Sequence, residues 1–393
     1  MAFPSFQVVE DDPKVGFDAL KSGHRWQSSP DGEAFTGGYA GLLGYELGHA
    51  FERWAEQPAG LTDWPAVAMG WYDAVAIFDE ARQWLEVRGE AGATARLAAS
   101  LGQGRYQIDA GAGLLHMVWS EDRYLDAAVR ARAYVRAGDV FQVNLSHPFR
   151  GEMSGRDAPF ALMQRLSEES PAAYSAYMRL DGDRAIVTNS PERFFHLDAD
   201  GQVETRPIKG TRPRKDDPVA DTAEIEALKS SEKDRAENLM IVDLMRNDIS
   251  RVCKPGSVKA PDLFAIESFA NVHHLVSTVI GQLDEDRTVY DLLAASFPPG
   301  SITGAPKPRA MEIIAELEGE ARGPYCGALG WIGADGASDL NVMIRTAALV
   351  RANDGWNVEV RSGGAITIDS EPASELAETR AKAGALKRAI TDG

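Results

Sequence analysis

Residues 326–368 read CGALGWIGADGASDLNVMIRTAALVRANDGWNVEVRSGGAITI, and this stretch is the most informative about the class of fold. Its apolar runs are broken by two Asp-Gly pairs, Asp335-Gly336 and Asp354-Gly355. Asp-Gly is a preferred dipeptide in hairpin turns. We therefore predict that the stretch folds as an antiparallel meander.

Helical patterns fill much of the remaining chain. The sequence SEDRYLDAAVRARAYVRAG predicts a helix that leads into a strand, and further helices are predicted at about 221–250 and 306–320. Residues 90–113 are rich in Ala and Gly and are the best candidate for a boundary between regions 1–113 and 114–393. Long strand pairs mixed with long helices predict an α+β fold with large antiparallel sheets.

The chain is long and strongly acidic. It has 393 residues, a net charge of −18 and 44% hydrophobic residues, which is enough to bury a large core. The negative charge argues against nucleic acid and anionic membranes as partners, because both attract clustered Lys and Arg. An anionic small molecule remains compatible with this charge if basic groups gather locally.

Cysteine content and the N-terminal sequence bear on the compartment. Cys253 and Cys326 form neither a disulfide framework nor a metal-ligand cluster, which favours a reducing compartment such as the cytoplasm. The sequence MAFPSFQVVEDDPK lacks a basic segment followed by an apolar run, so no signal peptide is predicted. No run of about 18 apolar residues occurs, and no membrane-spanning helix is predicted.

Two helical segments each carry a pair of acidic residues three positions apart. Asp234 and Glu237 share one helix face, and so do Glu375 and Glu378, with Lys382 following on the same face. Two such helices could hold one divalent cation, because Mg²⁺ prefers a few carboxylate oxygens together with water and anionic groups of a substrate. The alternative is that both pairs lie on solvated helix faces.

Several further residues could bind an anion. Gly363 and Gly364 end a strand and would let backbone N–H groups approach a carboxylate, although a β-bulge would also use them. Arg345 is predicted to lie in a strand and to bind a carboxylate through its guanidinium, or else to be an exposed strand residue. His274 lies in an apolar segment, where the alternative is a core histidine with one hydrogen bond.

The segment ETRPIKGTRPRK, residues 204–215, places Lys209 in a short turn framed by Pro207 and Gly210. A lysine amine held in one place can act as a covalent nucleophile. The alternatives are an ordinary solvated basic loop and a nucleic-acid-binding loop. The overall charge argues against the second alternative.

Nine stretches, in order, resemble the chorismate-utilising enzyme family. That family includes the large subunits of anthranilate and aminodeoxychorismate synthases, together with isochorismate and salicylate synthases. The resemblance covers about 120–388, and FTGGYAGLLGYELG extends it weakly to about residue 35. The nine stretches are GDVFQVNLS, SPERFF, RPIKGTRPR, DRAENLMIVDLMRND, VHHLVSTVIGQL, PPGSITGAPKPRAMEIIAELE, GPYCGALGW, NVMIRT and GGAITIDSEPASELAET.

The resemblance implies a large two-sheet antiparallel sandwich flanked by helices, as in component I of anthranilate synthase. It implies that chorismate binds with Mg²⁺ between the sheets, in a catalytic domain at 114–393. It also implies that the N-terminal region, residues 1–113, is shorter than in the family and lacks most of the tryptophan-binding segment.

The resemblance also assigns roles to residues by position. Lys209, Glu237 and His274 become the expected catalytic residues. Glu237 and Glu375 become the first metal ligands, with Asp234 and Glu378 nearby. The expected substrate-binding residues are Gln142, His274, Ser301, Tyr325, Arg345, Gly363, Gly364 and Lys382.

Two positions select a branch of the family. The anthranilate branch resembles PIAGTR where this chain reads PIKGTR, and Lys209 marks the aminodeoxychorismate branch. Gln142 stands where isochorismate and salicylate synthases have a lysine that activates water. We therefore expect amination of chorismate at carbon 4 through a covalent Lys209 intermediate, with ammonia from a separate glutaminase subunit, on the path to 4-aminobenzoate and folate. The alternatives are an anthranilate synthase large subunit and a non-catalytic chorismate-binding protein.

Overall fold

The computed structural model describes residues 4–28, 35–51, 64–102 and 108–391. Within these ranges the chain forms two large antiparallel sheets and a separate two-stranded hairpin. The strands, in chain order, are β1 (Phe6–Glu10), β2 (Gly38–Leu43), β3 (Val67–Tyr72), β4 (Ala74–Asp79), β5 (Trp84–Gly89), β6 (Gly113–Met117), β7 (Gln142–Ser154), β8 (Tyr174–Arg179), β9 (Arg184–Ser190), β10 (Arg193–Leu197), β11 (Gln202–Thr205), β12 (Ile208–Pro213), β13 (Lys259–Ser268), β14 (Val272–Gln282), β15 (Gly304–Ala305), β16 (Ala328–Gly333), β17 (Ser338–Val342), β18 (Thr346–Ala352) and β19 (Gly355–Ile366).

Helices flank the sheets, and their ends follow from local sequence. Ser120 and Ser231 accept hydrogen bonds from backbone N–H groups of the first turns that follow them, and Gly138 ends a helix with a φ of 85°. No helix of the described ranges is long and apolar enough to cross a bilayer. The helices are α1 (Pro13–Gly23), α2 (Ala91–Ser100), α3 (Glu121–Ala137), α4 (Ala158–Glu169), α5 (Pro218–Ser230), α6 (Glu232–Ser250), α7 (Val289–Ser296), α8 (Lys307–Glu318) and α9 (Pro372–Thr391).

The two large sheets share no strand. The larger sheet has the order β1-β3-β2-β16-β17-β10-β11-β14-β12, and β13 pairs with β14. The second sheet has the order β15-β7-β19-β18-β9-β8, and β6 pairs with β7. The β7–β19 ladder runs from the pair Val143 and Ile366 to the pair Ser154 and Gly355. This long ladder supports much of the site described below.

Apolar side chains join the two sheets. Leu42 and Leu329 of the larger sheet lie in one buried cluster with Ile186 and Ala348 of the second sheet. Other buried clusters join α6 and α7 to the larger sheet, and α3, α8 and α9 to the second sheet. The structure therefore confirms the predicted α+β fold with two large antiparallel sheets and flanking helices.

The predicted meander at 326–368 is only half correct. Both predicted hairpins form, the second with Asn353 and Asp354 as its loop residues, but β16 and β17 lie in the larger sheet, whereas β18 and β19 lie in the second sheet. The chain crosses between the sheets after Val342, at Arg345, which has a positive φ of 51°. The prediction that Arg345 lies in a strand is therefore wrong. Arg345 is the residue at which the chain changes direction between the two sheets.

The larger sheet is continuous across the expected boundary at residue 113. β2 pairs with both β3 and β16, so strands from 1–113 and 114–393 share one ladder system. Residues 91–100, inside the Ala- and Gly-rich stretch, form α2. The division into a shortened N-terminal region and a catalytic domain stays a prediction.

Candidate active site

Lys209 lies in strand β12, at the edge of the larger sheet, and not in the predicted turn. The pairing of β12 with β14 shifts register between Ile208 and Thr211, and Gly210 adopts a φ of 85° within this bulge. A Cβ at Gly210 would lie 3.0 Å from the Asp234 carboxyl carbon. Glycine is therefore needed both for the backbone conformation and for the approach of α6.

The surroundings of the half-buried Lys209 favour a neutral amine. Burial is the largest influence and lowers the pKa of Lys209, and the charge of Lys382 acts in the same direction. The carboxylates of Glu237, Glu192 and Glu378 oppose this, but the pKa remains below its ordinary value. Among the described residues, the Lys209 ammonium has no hydrogen-bond or ion-pair partner.

Glu192 is a buried carboxyl group that the sequence analysis did not single out. Its Oε1 accepts a hydrogen bond of 2.7 Å from Oγ of Ser301, which is also buried. Burial raises the pKa of Glu192, although the charges of Lys209, Lys382 and Arg345 act against that shift. The pKa of Glu192 is therefore shifted toward the protonated form, although three cations oppose that shift.

Arg345 and His274 border the same group of residues. Burial lowers the pKa of Arg345, Glu192 raises it, and the guanidinium has no hydrogen-bond partner in the described ranges. His274 Nδ1 lies 2.9 Å from Oγ1 of Thr211, its partner across the β12–β14 ladder. Burial, followed by the charges of Arg345 and His273, lowers the pKa of His274 to about 4, so the ring is neutral at pH 7.

Helix α6 presents its two predicted acids differently. Asp234 accepts a hydrogen bond of 3.3 Å from Arg212 and lies behind Gly210. Glu237 is half-buried, lies 3.8 Å from Lys233 and is the strongest charge acting on Lys209. The predicted shared face therefore exists, with Glu237 as the member that acts on the lysine.

Helix α9 presents the second pair of acids. Glu375 is buried, and burial raises its pKa. Glu378 is exposed and forms a 2.7 Å ion pair with Lys382. Burial tends to raise the pKa of Glu378, but Lys382, Lys233 and Lys209 hold it below its ordinary value.

Strand β19 meets α9 at the predicted glycine pair. Lys382 Nζ donates a hydrogen bond of 3.1 Å to the Gly363 carbonyl. A Cβ added at Gly364 would lie 3.1 Å from Oε2 of Glu375 and 3.9 Å from Nζ of Lys382. The absence of a side chain at Gly364 therefore leaves room beside the Glu375 carboxylate and the Lys382 ammonium. The alternative prediction of a β-bulge at the two glycines is wrong, because the β7–β19 ladder is regular there.

Two predicted substrate-binding residues have different surroundings. Gln142 is buried at the start of β7, and its Oε1 has no hydrogen-bond partner among the described residues. Tyr325 is buried in the core cluster of the larger sheet, where the Arg322 guanidinium carbon lies 5.6 Å from its ring centre. Burial raises the pKa of Tyr325 well above its ordinary range.

Comparisons with known proteins identify the family of the chain. A family model described as chorismate binding enzyme matches residues 11–388. The chain is 41% identical over 380 residues to aminodeoxychorismate synthase component 1 of Salmonella typhimurium, covering 95% of this chain and 81% of that protein. It is 43% identical over 272 residues to anthranilate synthase component 1 of Streptomyces coelicolor, covering 69% of this chain and 52% of that protein.

A solved structure extends the likeness to the whole fold. The crystal structure of anthranilate synthase component I from Streptococcus pneumoniae aligns with a TM-score of 0.87 at 29% identity, covering 99% of this chain and 91% of that chain. The family match spans nearly all of the chain, and the Streptococcus pneumoniae structure shares its fold. The chain therefore belongs to the family of chorismate-binding enzymes.

Proposed function

We propose that this chain is component 1 of an aminodeoxychorismate synthase, which converts chorismate and ammonia to 4-amino-4-deoxychorismate and water. The observation that carries the proposal is the Lys209 amine, which is half-buried, unpaired in the described ranges and shifted toward its neutral form. An amine must be neutral to attack carbon. The similarity to aminodeoxychorismate synthase component 1 supports the same assignment.

The proposed reaction consists of two displacements, each with a shift of a ring double bond. Lys209 Nζ bonds to ring carbon 2 while the bond from carbon 4 to its hydroxyl breaks. Glu192, whose pKa burial raises toward the protonated form, is the proposed acid that gives its proton to the hydroxyl, which leaves as water. Ammonia then bonds to carbon 4, the carbon 2–Nζ bond breaks, and Lys209 leaves as a neutral amine. The new ammonium group returns a proton to Glu192, so the cycle closes.

Cationic side chains and backbone groups are proposed to hold the carboxylates of chorismate. Arg345 is available because its guanidinium has no partner in the described ranges, and Lys382 lies beside the Gly363 carbonyl. A charged, bidentate bond from arginine to a carboxylate is stronger than a neutral hydrogen bond. His274, Ser301, Tyr325, Gly364 and Gln142 complete the proposed substrate contacts.

The residues present fit Mg²⁺ as part of the proposal. Every candidate ligand is a carboxylate, the donor type that Mg²⁺ prefers, and Gly364 leaves room beside Glu375 Oε2. The described residues contain no group of three or more His, Cys, Asp or Glu placed to hold an ion alone. That suits a metal held by one or two carboxylates plus substrate and water.

We propose Glu237 and Glu375 as the direct ligands. Arg212 engages Asp234, and Lys382 engages Glu378, so these two acids are better suited to a supporting role. When bound, Mg²⁺ would supply positive charge beside the ring carboxylate and withdraw electron density from the ring.

The ammonia source and setting belong to the same proposal. We propose that a separate glutaminase subunit supplies ammonia, since the Salmonella relative is designated component 1. The product would lead to 4-aminobenzoate and folate in the cytoplasm. The catalytic machinery would lie in the region 114–393, as the sequence predicts.

Anthranilate synthesis is the second candidate function, favoured by the similarity to anthranilate synthase components.

Product analysis distinguishes aminodeoxychorismate synthesis from anthranilate synthesis. The protein is incubated with chorismate, Mg²⁺ and ammonium, and the products are examined by mass spectrometry and fluorescence. An amine that keeps the enolpyruvyl group supports the proposal. Fluorescent anthranilate with free pyruvate would move the chain to the alternative, and unchanged chorismate would contradict both.

A further inference from the structure

The middle of helix α9 is held by a pair of residues from the second sheet. His147 of β7 and Ser362 of β19 lie directly opposite each other in the ladder. Ser362 Oγ donates a hydrogen bond of 2.7 Å to the Thr379 carbonyl, and His147 Nε2 lies 2.9 Å from Thr379 Oγ1. All three residues are buried. One cross-strand pair therefore binds both the backbone and the side chain of a single helical residue.

The hydrogen bonds determine the tautomer of His147. Thr379 Oγ1 donates its own proton to the Leu376 carbonyl at 2.8 Å. The hydroxyl can therefore only accept from the imidazole, so Nε2 of His147 carries the proton. Burial is the main cause that lowers the pKa of His147 to about 4, and the ring is therefore a neutral donor at pH 7.

Thr379, which accepts both of these hydrogen bonds, lies among the candidate site residues of α9. Thr379 is one turn after Glu375, directly after Glu378 and three positions before Lys382. Three successive residues of β19 contact three residues within about two turns of α9, so a rotation or slide of the helix would disturb all of these contacts together. The contacts join Ser362 to Thr379, Gly363 to Lys382, and Gly364 to Glu375.

We propose that His147 is a positioning residue that, through Thr379, sets helix α9 at the height and rotation at which Glu375 and Lys382 face the metal and the substrate. The inference rests on the proposed function for what binds there, but the hold on the helix is independent of it. Groups that support metal ligands from behind commonly contribute about 10-fold or more to metal affinity.

Two substitutions at His147 separate its hydrogen bond from its bulk. His147→Phe keeps a ring to pack near Tyr124 and Phe149 but removes the donor to Thr379. His147→Gln places an amide N–H near the position of Nε2 and keeps the donor.

Mg²⁺ binding is measured by calorimetry on the purified full chain, and hydrogen exchange is measured for α9. We expect His147→Phe to weaken Mg²⁺ binding about 10-fold and to speed exchange in α9. We expect His147→Gln to bind within about two-fold of the parent, since it keeps the donor.

The same bond is removed from the helix side as a second test. Thr379→Val deletes the hydroxyl, and Thr379→Ser keeps it. If His147→Phe does not fold, this pair of variants tests whether the hydrogen bond between His147 and Thr379 positions α9. Parent-like Mg²⁺ binding and exchange in His147→Phe, or in Thr379→Val, would overturn the inference. A parent that binds no Mg²⁺ would instead contradict the metal part of the proposed function, and the exchange of α9 would then decide the inference alone.

Discussion

Burial shifts Lys209 and Glu192 toward their neutral forms, which are the forms that the proposed nucleophile and the proposed proton donor require. Outside the protein, a lysine would be charged and a glutamate ionised at pH 7. Here desolvation lowers the pKa of Lys209 and raises that of Glu192, although each carries the charge that favours ionisation of the other. The proposed chemistry therefore depends on exclusion of water from these two side chains.

Substitution of Glu192 should remove a proton donor without removing the substrate site. Glu192→Gln can still bond to Ser301, so we expect chorismate binding to change little and turnover to fall about 100-fold or more. Activity of the parent should fall as the pH rises through the raised pKa of Glu192, and the variant should lose this alkaline limb. Steady-state kinetics from pH 6 to 9 measure both effects.

Glu226→Gln, on the surface of α5 beside Lys229, is the control. An unchanged turnover number in Glu192→Gln would exclude Glu192 as the acid.

The buried His147 predicts how stability depends on pH. Its folded pKa of about 4 lies below the ordinary value of 6.5, so the unfolded chain binds more protons between these values. The contribution of the neutral His147 to the free energy of unfolding is fully present above about pH 6.5. This contribution is lost as the pH falls toward 4, by up to about 3 kcal/mol. Urea unfolding of the parent and His147→Gln should therefore differ in pH slope across this window. His116→Gln alters an exposed histidine and should keep the parental slope, and equal slopes in all three proteins would contradict the prediction.

Single residues differ in how far the sequence predicts them. Lys209 is found because a basic residue between Pro and Gly is locally unusual, although its backbone is a strand bulge and not a turn. Glu192 is missed because a lone glutamate after a proline has no spacing signal, and its burial depends on the distant Ser301. Arg345 is predicted as a binding residue, and that stays a prediction, but its positive φ arises from the crossing between sheets, which local alternation does not reveal.

Strand β19 and helix α9 form a part of the candidate site where the backbone closely approaches acidic and basic side chains. The strand contributes small residues, and the helix contributes acids and a lysine on the facing side. The sequence predicts both elements, because the Asp354-Gly355 pair indicates a hairpin turn beside the strand and the spacing of Glu375 and Glu378 indicates one face of a helix. It does not predict their contact, which depends on the pairing of β19 with β7, more than 200 positions away.

The close approach of Gly364 to α9 can be tested with a single methyl group. Gly364→Ala places a Cβ 3.1 Å from Oε2 of Glu375, so the carboxylate must move. We expect a several-fold loss of Mg²⁺ and chorismate affinity, of the order of 10-fold, with little loss of fold stability. Gly182→Ala is the matched control because its added Cβ meets no atom within 4 Å. Calorimetric titration of both variants measures the effect, and equal affinities would show that Glu375 does not need this space.

At the scale of the whole molecule, two distant parts of the chain build each sheet. β2 pairs with β16 across nearly 300 positions, and β9 pairs with β18 across about 160 positions. Pairing over such separations cannot be deduced from local patterns, so the elements and the α+β class are predicted from those patterns, and the two-sheet arrangement is predicted only through the family resemblance. It does not predict which hairpin joins which sheet.

The chain as a whole carries no thiol suited to hydrolysing glutamine. The sequence has only two cysteines, and both sulfurs are buried. Burial raises the pKa of Cys253 to about 11 and that of Cys326 to about 12, so neither supplies a thiolate at pH 7. We therefore expect amination with ammonium salts but not with glutamine, and a glutaminase subunit should restore the use of glutamine. Product formation is followed by mass spectrometry, and glutamine-dependent turnover by the homogeneous chain would refute this expectation.

The covalent role of Lys209 is tested most directly by peptide mass spectrometry after incubation with chorismate and Mg²⁺ in the absence of ammonia. The account predicts an adduct on the peptide containing Lys209, with the mass of chorismate less one water, and its disappearance when ammonium is added. Lys215→Ala, a change in the same basic segment, should retain the adduct. Lys209→Ala should lose both the adduct and amination at carbon 4. An unmodified Lys209 peptide, together with full amination at carbon 4 by Lys209→Ala, would contradict the account.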